Sequence, residues 1–169
     1  WSAYSKSPSG PSILATLCEP LKVGSLSERT MKLLFICTHN RCRSILCEAI
    51  ASQRGHGVLQ AASAGSAPVS SVHPLTLRYL RERGYETSGL TSQSWNDLEA
   101  FEPDRVITVC DSAAGEVCPL WMGNVEKWHW GLPDPSRVEG DGEVIRDAFM
   151  SVIDRIEGKV DEWMLAARP

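Results

Sequence analysis

The segment from Cys37 to Ser44 reads CTHNRCRS and has the form C-x5-R-S. A short loop of this kind between a strand and a helix can turn several backbone N–H groups inward, where they bind a tetrahedral oxyanion together with the positive end of the helix. Arg43 would add a bidentate guanidinium for two of the oxygens. The same environment favours the nucleophilic thiolate of Cys37, to which Ser44 can donate a hydrogen bond. The pattern predicts thiolate chemistry on an oxyanion, with Cys37, Arg43 and Ser44 as catalytic residues.

Contacts to an anion in such a loop come from the whole turn. The predicted substrate-binding residues are Thr38, His39, Asn40, Arg41, Cys42 and Arg43. Within this set we expect Cys42 to pack the loop and the side-chain amide of Asn40 to brace a left-handed turn. The alternative is a strand that ends in an inert buried cysteine, with Arg43 on the surface. The position of the motif between an apolar run and a helical pattern favours the catalytic interpretation.

Two further cysteines, Cys110 and Cys118, bracket the segment CDSAAGEVC. A phosphatase needs one thiol and then water, whereas a reductase needs a second thiol to attack the first and a way to pass the oxidation onward. The small residues between the two cysteines would let the segment rearrange before the thiols bond. The alternatives are two structural cysteines or half of a zinc site, but the C-x2-C spacing or nearby histidine typical of zinc is missing from this segment. We therefore predict that Cys110 and Cys118 are catalytic, and we predict no metal.

A proline-rich loop, HWGLPDPS, places Asp134 between two prolines. Expelling an oxygen from an oxyanion requires a proton donor opposite the nucleophile, and a rigidly held carboxyl group suits that role. On these residues alone, an aspartate that accepts hydrogen bonds from its own turn is the better explanation.

These residues must be positioned by an alternation of apolar strands and amphipathic helices. The predicted strands are Lys32 to Cys37, Val58 to Ala62, Arg105 to Cys110 and a weaker one from Val125 to Trp130. The predicted helices are residues 44–50, His73 to Gly84, Trp95 to Phe101 and Val144 to Leu165. Such an alternation predicts an α/β domain with a parallel sheet, at whose carboxyl edge Cys37 and Cys110 both end strands.

Composition and charge restrict the classes of protein to which the chain can belong. The chain has 169 residues, 43% hydrophobic and 22% charged, and a net charge of -4, which predicts a globular domain and argues against nucleic acid as a partner. No apolar run approaches the ~18 residues of a membrane span. Without an export signal, six cysteines predict reactive thiols in the reducing cytoplasm. Residues 1–30 are predicted to form a flexible extension and residues 31–169 the domain.

The loop CTHNRCRS after KLLFI, the segment ITVCDSAAGEVCP and the loop HWGLPDPS together resemble the thioredoxin-coupled arsenate reductases of the low-molecular-weight protein tyrosine phosphatase fold family. The resemblance covers roughly Met31 to Trp163. It implies a three-layer sandwich with a central parallel four-stranded sheet, arsenate reduction for arsenic detoxification, and Asp134 as general acid. Ser136 stands where tyrosine phosphatases carry an aromatic that stacks on the substrate ring, which favours a small inorganic oxyanion.

The resemblance also implies a relay of three thiols. Cys37 attacks arsenate, Cys110 attacks Cys37 and releases arsenite, and Cys118 attacks Cys110 to leave a disulfide that thioredoxin, or else glutaredoxin with glutathione, reduces. No organic cofactor is expected, because the electrons arrive through thiols. Two alternatives stay open: phosphate-ester hydrolysis by Cys37, Arg43 and Asp134 without a redox step, and a non-catalytic redox sensor built on the Cys110–Cys118 pair.

Overall fold

The computed structural model of the chain describes residues 29–167. The predicted extension, residues 1–30, falls almost wholly outside the described residues. In the described part the strands and helices are, in chain order, β1 Met31–Cys37, α1 Arg43–Arg54, β2 Leu59–Gly65, α2 Pro74–Glu82, β3 Arg105–Thr108, α3 Asp111–Ala114, β4 Glu126–His129 and α4 Gly142–Ala166. Short 3-10 helices span Trp95–Phe101, Leu120–Met122 and Pro135–Arg137.

The four strands form one parallel sheet in the order β2-β1-β3-β4. Crossovers between parallel strands are right-handed, and the chain moves in opposite directions from β1 to β2 and from β2 to β3. The two connections therefore cover opposite faces of the sheet. Helix α1 packs on β1 and β2 and against α4, while α3 contacts β1 and β3. The predicted three-layer α/β sandwich around a parallel four-stranded sheet is confirmed.

The centre of the sheet is β1, whose residues Leu33 to Cys37 are all buried. A parallel strand covered on both faces has no polar side to alternate with, which explains the unbroken apolar run in the sequence. Helix α4 covers it with a stripe at steps of three and four residues, and the rings of Phe35 and Trp163 lie 5.9 Å apart. This packing fixes the carboxyl end of β1, where Cys37 lies.

The second helix is confirmed, although it runs from Pro74 to Glu82 and is shorter at both ends than predicted. His73 accepts a hydrogen bond from the Leu75 N–H at the start of α2, and Pro74 occupies the first helical position, where its missing N–H costs nothing. After the helix, Gly84 has a φ of 87°, the left-handed conformation that ends helices. In the part of the chain that the structure describes, no helix is long and apolar enough to cross a membrane.

Two strands differ from the prediction at the edge that carries the site. Strand β3 ends at Thr108 instead of continuing to Cys110, because the chain turns there into α3, which the sequence pattern did not predict. Strand β2 runs on to Gly65, which pairs with Cys37. A side chain at position 65 would place its Cβ 2.6 Å from the Thr38 carbonyl oxygen, so only glycine lets β2 pass this close to the loop.

Candidate active site

The residues from Cys37 to Ser44, here called the anion loop, leave the end of β1 and enter α1. The carbonyl oxygens of Thr38, His39 and Arg41 point away from its centre, because they accept backbone N–H groups from the segment 67–73 at 2.9, 3.3 and 2.9 Å. All described peptide bonds are trans, so each N–H points opposite to the preceding C=O. The N–H groups that follow these three carbonyls therefore face the centre of the loop.

The sulfur of Cys37 lies among donors. The Asn40 N–H donates to Cys37 Sγ at 3.2 Å, and the Ser44 Oγ lies 2.8 Å from the same sulfur. Cys37 is 4% exposed and sits beside the first turn of the 12-residue helix α1. Inward N–H groups, a hydroxyl and the positive end of a helix all favour negative charge at this point.

Asn40 braces the loop from behind. It is fully buried, and its φ of 48° is the left-handed turn expected for it. Its Nδ2 donates to the hydroxyl oxygens of Ser44 at 2.8 Å and Ser63 at 3.0 Å, and its Oδ1 accepts the Gln93 N–H at 2.8 Å. Helix α1, strand β2 and the loop before the first 3-10 helix are thus joined through one side-chain amide. Although it was predicted to bind substrate, Asn40 supports the loop without lining the cavity described below.

The bracing network ends on a carboxyl group. Ser63 donates to Glu48 Oε2 at 2.9 Å, and Gln93 Nε2 donates to the Ser63 carbonyl at 2.9 Å. Burial raises the pKa of Glu48 to about 7, although the hydrogen bond from Ser63 acts in the opposite direction. The sequence pattern did not predict Ser63 here, because no spacing links β2 to the loop.

A cavity of about 260 Å³ opens in front of the anion loop. Its lining comprises Cys37, Thr38, His39, Arg41, Cys42, Arg43, His73, Cys110, Ser112, Asp134, Ser136 and Arg137. The predicted residues outside this lining are Asn40 and Ser44, which lie behind the loop, and Cys118. Its positive charge comes from three arginines, although the chain is acidic overall. The sequence pattern gave no sign that His73, Ser112 and Arg137 line this cavity.

Arg43 and Asp134 form an ion pair in the lining of this cavity. Their nearest side-chain atoms, Nη2 and Oδ2, are 3.5 Å apart, and Arg43 Nη1 also donates to the Leu132 carbonyl at 3.2 Å. The other carboxylate oxygen of Asp134 accepts the N–H of Ser136 at 3.0 Å and its hydroxyl at 2.6 Å. Oδ2 also lies 3.5 Å from Arg137 Nε. Asp134 therefore caps its own turn and lines the cavity between two arginines.

Cys42 differs chemically from Cys37 although both line the cavity. Burial raises the pKa of the Cys42 thiol to about 12, since little water reaches the sulfur. Cys47, which is fully buried on α1, has its pKa raised by the same cause. Both stay protonated at neutral pH and pack as apolar groups, as expected for Cys42.

Residues Cys110 to Cys118, here called the redox segment, border the cavity at one end only. Cys110 is buried, accepts the Ala113 N–H at 3.4 Å, and lies with its Sγ 3.7 Å from Thr38 Oγ1 of the anion loop. Cys118 is half-buried outside the cavity lining. Beside it Val117 is 92% exposed and Leu120 99% exposed. The two cysteines of this segment thus face different surroundings.

The chain is similar in sequence and fold to one known protein family and to several arsenate reductases. The family described as low molecular weight phosphotyrosine protein phosphatase matches residues 32–168. An arsenate reductase of Bacillus subtilis is 32% identical over 76% of this chain and 91% of its own length. A glutaredoxin arsenate reductase of Synechocystis is 32% identical over 76% of this chain and 95% of its own. The solved structure of a thioredoxin-dependent arsenate reductase of Corynebacterium glutamicum superimposes with a TM-score of 0.62 at 29% identity, over 85% of this chain and 67% of that one.

Proposed function

We propose that this chain, which belongs to the low molecular weight phosphotyrosine protein phosphatase family, reduces arsenate to arsenite through the thiols of Cys37, Cys110 and Cys118. The observation that carries the proposal is that Cys110, from the segment after β3, lines the same cavity as the nucleophile, whereas burial keeps the other lining thiol, Cys42, protonated. Hydrolysis of a phosphate ester requires one thiol and water, whereas reduction of arsenic(V) requires two electrons from a thiol pair. The names of the arsenate reductase relatives support the same choice.

Arsenate binds in the anion loop. The inward N–H groups replace its hydration, and Arg43 leaves Asp134 to take two of its oxygens. The Cys37 thiolate then attacks arsenic. Asp134, which lines the cavity with its Oδ2 3.5 Å from Arg43 Nη2, protonates the departing oxygen, which leaves as water.

The relay then carries the oxidation outward. Cys110 attacks Cys37, the Cys37–arsenic bond breaks with its electron pair on arsenic, and arsenite leaves. Cys118 attacks Cys110, which requires the redox segment to rearrange and leaves a Cys110–Cys118 disulfide. The half-exposed position of Cys118, beside the exposed side chains of Val117 and Leu120, supports its role as the thiol that meets a protein reductant.

The reductant is a thioredoxin, or else a glutaredoxin with glutathione. The similar proteins include one thioredoxin-dependent arsenate reductase and one glutaredoxin arsenate reductase. A relay that ends in an internal disulfide favours thioredoxin, because a dithiol protein can reduce that disulfide directly. Free thiols at all three relay positions require a reducing compartment, so we assign the enzyme to the cytoplasm.

A coupled assay tests the proposal. Purified chain, arsenate, NADPH and either thioredoxin with its reductase or glutaredoxin with glutathione are combined, and arsenite is measured directly. Steady arsenite production with one reductant is expected, and its absence with both would overturn the proposal. Cys110→Ser should lower the rate of arsenite production at least about a thousandfold, because the thiol that attacks Cys37 to release arsenic is missing.

Two variants separate reduction from hydrolysis. Cys118→Ser should release about one arsenite per chain in a single turnover and then stop, since the Cys37–Cys110 disulfide stays buried. Cys110→Ser should keep whatever hydrolysis of p-nitrophenyl phosphate the wild type shows, because Cys37, Arg43 and Asp134 remain. Unchanged arsenate turnover in Cys110→Ser would exclude the relay and favour a different reductive route.

A further inference from the structure

The hydroxyl of Thr38 lies between a thiol and a carboxylate. Thr38 Oγ1 donates to Glu116 Oε1 at 3.3 Å and lies 3.7 Å from Cys110 Sγ. Because the hydroxyl hydrogen is directed at Glu116, the oxygen lone pairs remain free to accept the Cys110 S–H. The three groups form a short chain from the second thiol of the relay to a carboxylate outside the cavity lining.

The fold builds this chain from two separate pieces. Thr38 follows β1 in the anion loop, whereas Glu116 comes after α3, where its N–H donates to the Ala113 carbonyl at 3.3 Å. That turn brings the Glu116 side chain back over the loop. The same short helix aims the Ala113 N–H at Cys110 Sγ, so the sulfur has a donor on one side and a proton acceptor path on the other.

Cys110 needs such a path because a thiol has to lose its proton before it attacks. Cys110 is 3% exposed, so bulk water reaches its thiol poorly. His39, His73 and Asp134 also line the cavity, but among the described side chains the Thr38 hydroxyl is the one within hydrogen-bond reach of Cys110 Sγ. His73 Nδ1 accepts the Leu75 N–H.

We infer that Glu116 is a positioning residue for the second thiol, acting through Thr38 to take the proton of Cys110 as it attacks. The inference rests on the proposed arsenate reduction. The Cys110 proton moves to Thr38 Oγ1 while the Thr38 hydroxyl proton moves to the Glu116 carboxylate. The electron pair of the Cys110 sulfur forms the Cys110–Cys37 bond. The Cys37–arsenic bond breaks with its electron pair on arsenic, which is thereby reduced from arsenic(V) to arsenic(III) and leaves as arsenite.

The test compares Glu116→Gln with wild type, both in a Cys118→Ser background that traps the Cys37–Cys110 disulfide. Glutamine keeps an oxygen that accepts from Thr38 but takes no proton, so the contact survives and the transfer does not. The rate of disulfide formation after mixing with saturating arsenate is followed by acid quench, alkylation and mass spectrometry. At pH 6.5 we expect Glu116→Gln to be about tenfold slower, and the two rates to converge as the pH rises, because hydroxide then removes the thiol proton without help.

Controls separate this effect from a structural one. Alkylation of Cys37 by iodoacetamide should proceed at the wild-type rate in Glu116→Gln, because the first thiol is not on this path. Thr38→Val should reproduce the pH-dependent slowing, Thr38→Ser should restore the rate, and the Thr38→Val, Glu116→Gln double variant should be no slower than Thr38→Val alone. His39, His73 and Asp134 are present in every variant, so their titration is common to all the profiles.

The outcomes separate a failure of the proposed function from a failure of the proposed role of Glu116. If the parent Cys118→Ser chain forms neither the disulfide nor arsenite, the proposed function fails. If it forms both, and Glu116→Gln matches it at every pH or is slowed equally at every pH, the proposed role of Glu116 is wrong.

Discussion

The anion loop and the redox segment meet at Thr38 and Cys110, yet they are held in opposite ways. In the loop, Asn40 and Ser44 are fully buried, and Asn40 alone joins three elements. In the redox segment most residues are exposed, and three side-chain hydrogen bonds attach it to the rest of the described chain: Asp111 to His129 at 2.9 Å, and Glu116 and Cys110 to Thr38 at 3.3 and 3.7 Å. The first arrangement suits a group that must stay in place for a transition state, and the second suits a group that must move.

The loop is the more sensitive of the two regions, and Asn40→Ala is the change that shows it best. The variant leaves the Ser44 and Ser63 hydroxyls and the Gln93 N–H without their buried partner and puts alanine into a left-handed turn. We expect a loss of roughly 3 kcal/mol in the free energy of unfolding, measured by urea denaturation, and a loss of about a hundredfold in arsenate turnover.

The exposed Asn124→Ala, which removes the same side chain from the surface, serves as the control and should change the free energy of unfolding by less than about 0.5 kcal/mol. A loss below about 1 kcal/mol in Asn40→Ala would show that the loop does not depend on this amide for its rigidity.

Glu48, in the network that braces the anion loop, makes the free energy of unfolding depend on pH. Its folded-state pKa, raised by burial to about 7 from 4.5, means that the folded chain holds this proton more tightly than the unfolded chain. The resulting stability is complete below about pH 4.5 and is lost as the pH rises through 7. Glu48→Gln stays neutral and should therefore be more stable than wild type at pH 8, by as much as about 3 kcal/mol, and equal to it at pH 4.

Thermal or urea unfolding across this pH range measures the difference. Glu139→Gln makes the same charge change at an exposed position and should leave the wild-type pH dependence intact. Parallel curves for Glu48→Gln and wild type would show that the carboxyl is not buried as described.

The redox segment should respond in the opposite way, with little change in stability and a change in the encounter with the reductant. Val117→Ser combined with Leu120→Ser removes two almost fully exposed apolar side chains, so the free energy of unfolding should move by less than about 0.5 kcal/mol. The KM for thioredoxin in the coupled assay should rise several-fold, because apolar area next to Cys118 is lost from the encounter.

Val144→Ser, at an exposed apolar position on α4, should leave that KM unchanged. An unaltered KM in the double variant would place the contact with thioredoxin elsewhere on the surface.

The sequence predicted what local patterns determine. The apolar run ending at Cys37 fixed β1, and the helical spacing together with Pro74 and Gly84 fixed α2. The left-handed turn at Asn40 was also expected, since short polar side chains tolerate it.

What the sequence could not predict depends on long-range contacts. Ser63 and Gln93 meet Asn40 only because β2 and the residues before the first 3-10 helix pass behind the loop. Helix α3 was missed because four residues are too few to show a period, and with it the return of Glu116 over Thr38. The unpredicted parts of the site are therefore contacts between segments more than twenty residues apart.

The outward carbonyls of the anion loop have a consequence for the design of altered enzymes. Their partners lie in residues 67–73, so that stretch sets how far each inward N–H reaches into the cavity. A mutant library confined to residues 37–44 would vary the side chains of the loop while leaving the aim of its backbone N–H groups unchanged. Selection for a larger or smaller oxyanion should instead vary residues 67–73, where one inserted or deleted residue would re-aim the N–H groups without replacing any side chain of residues 37–44.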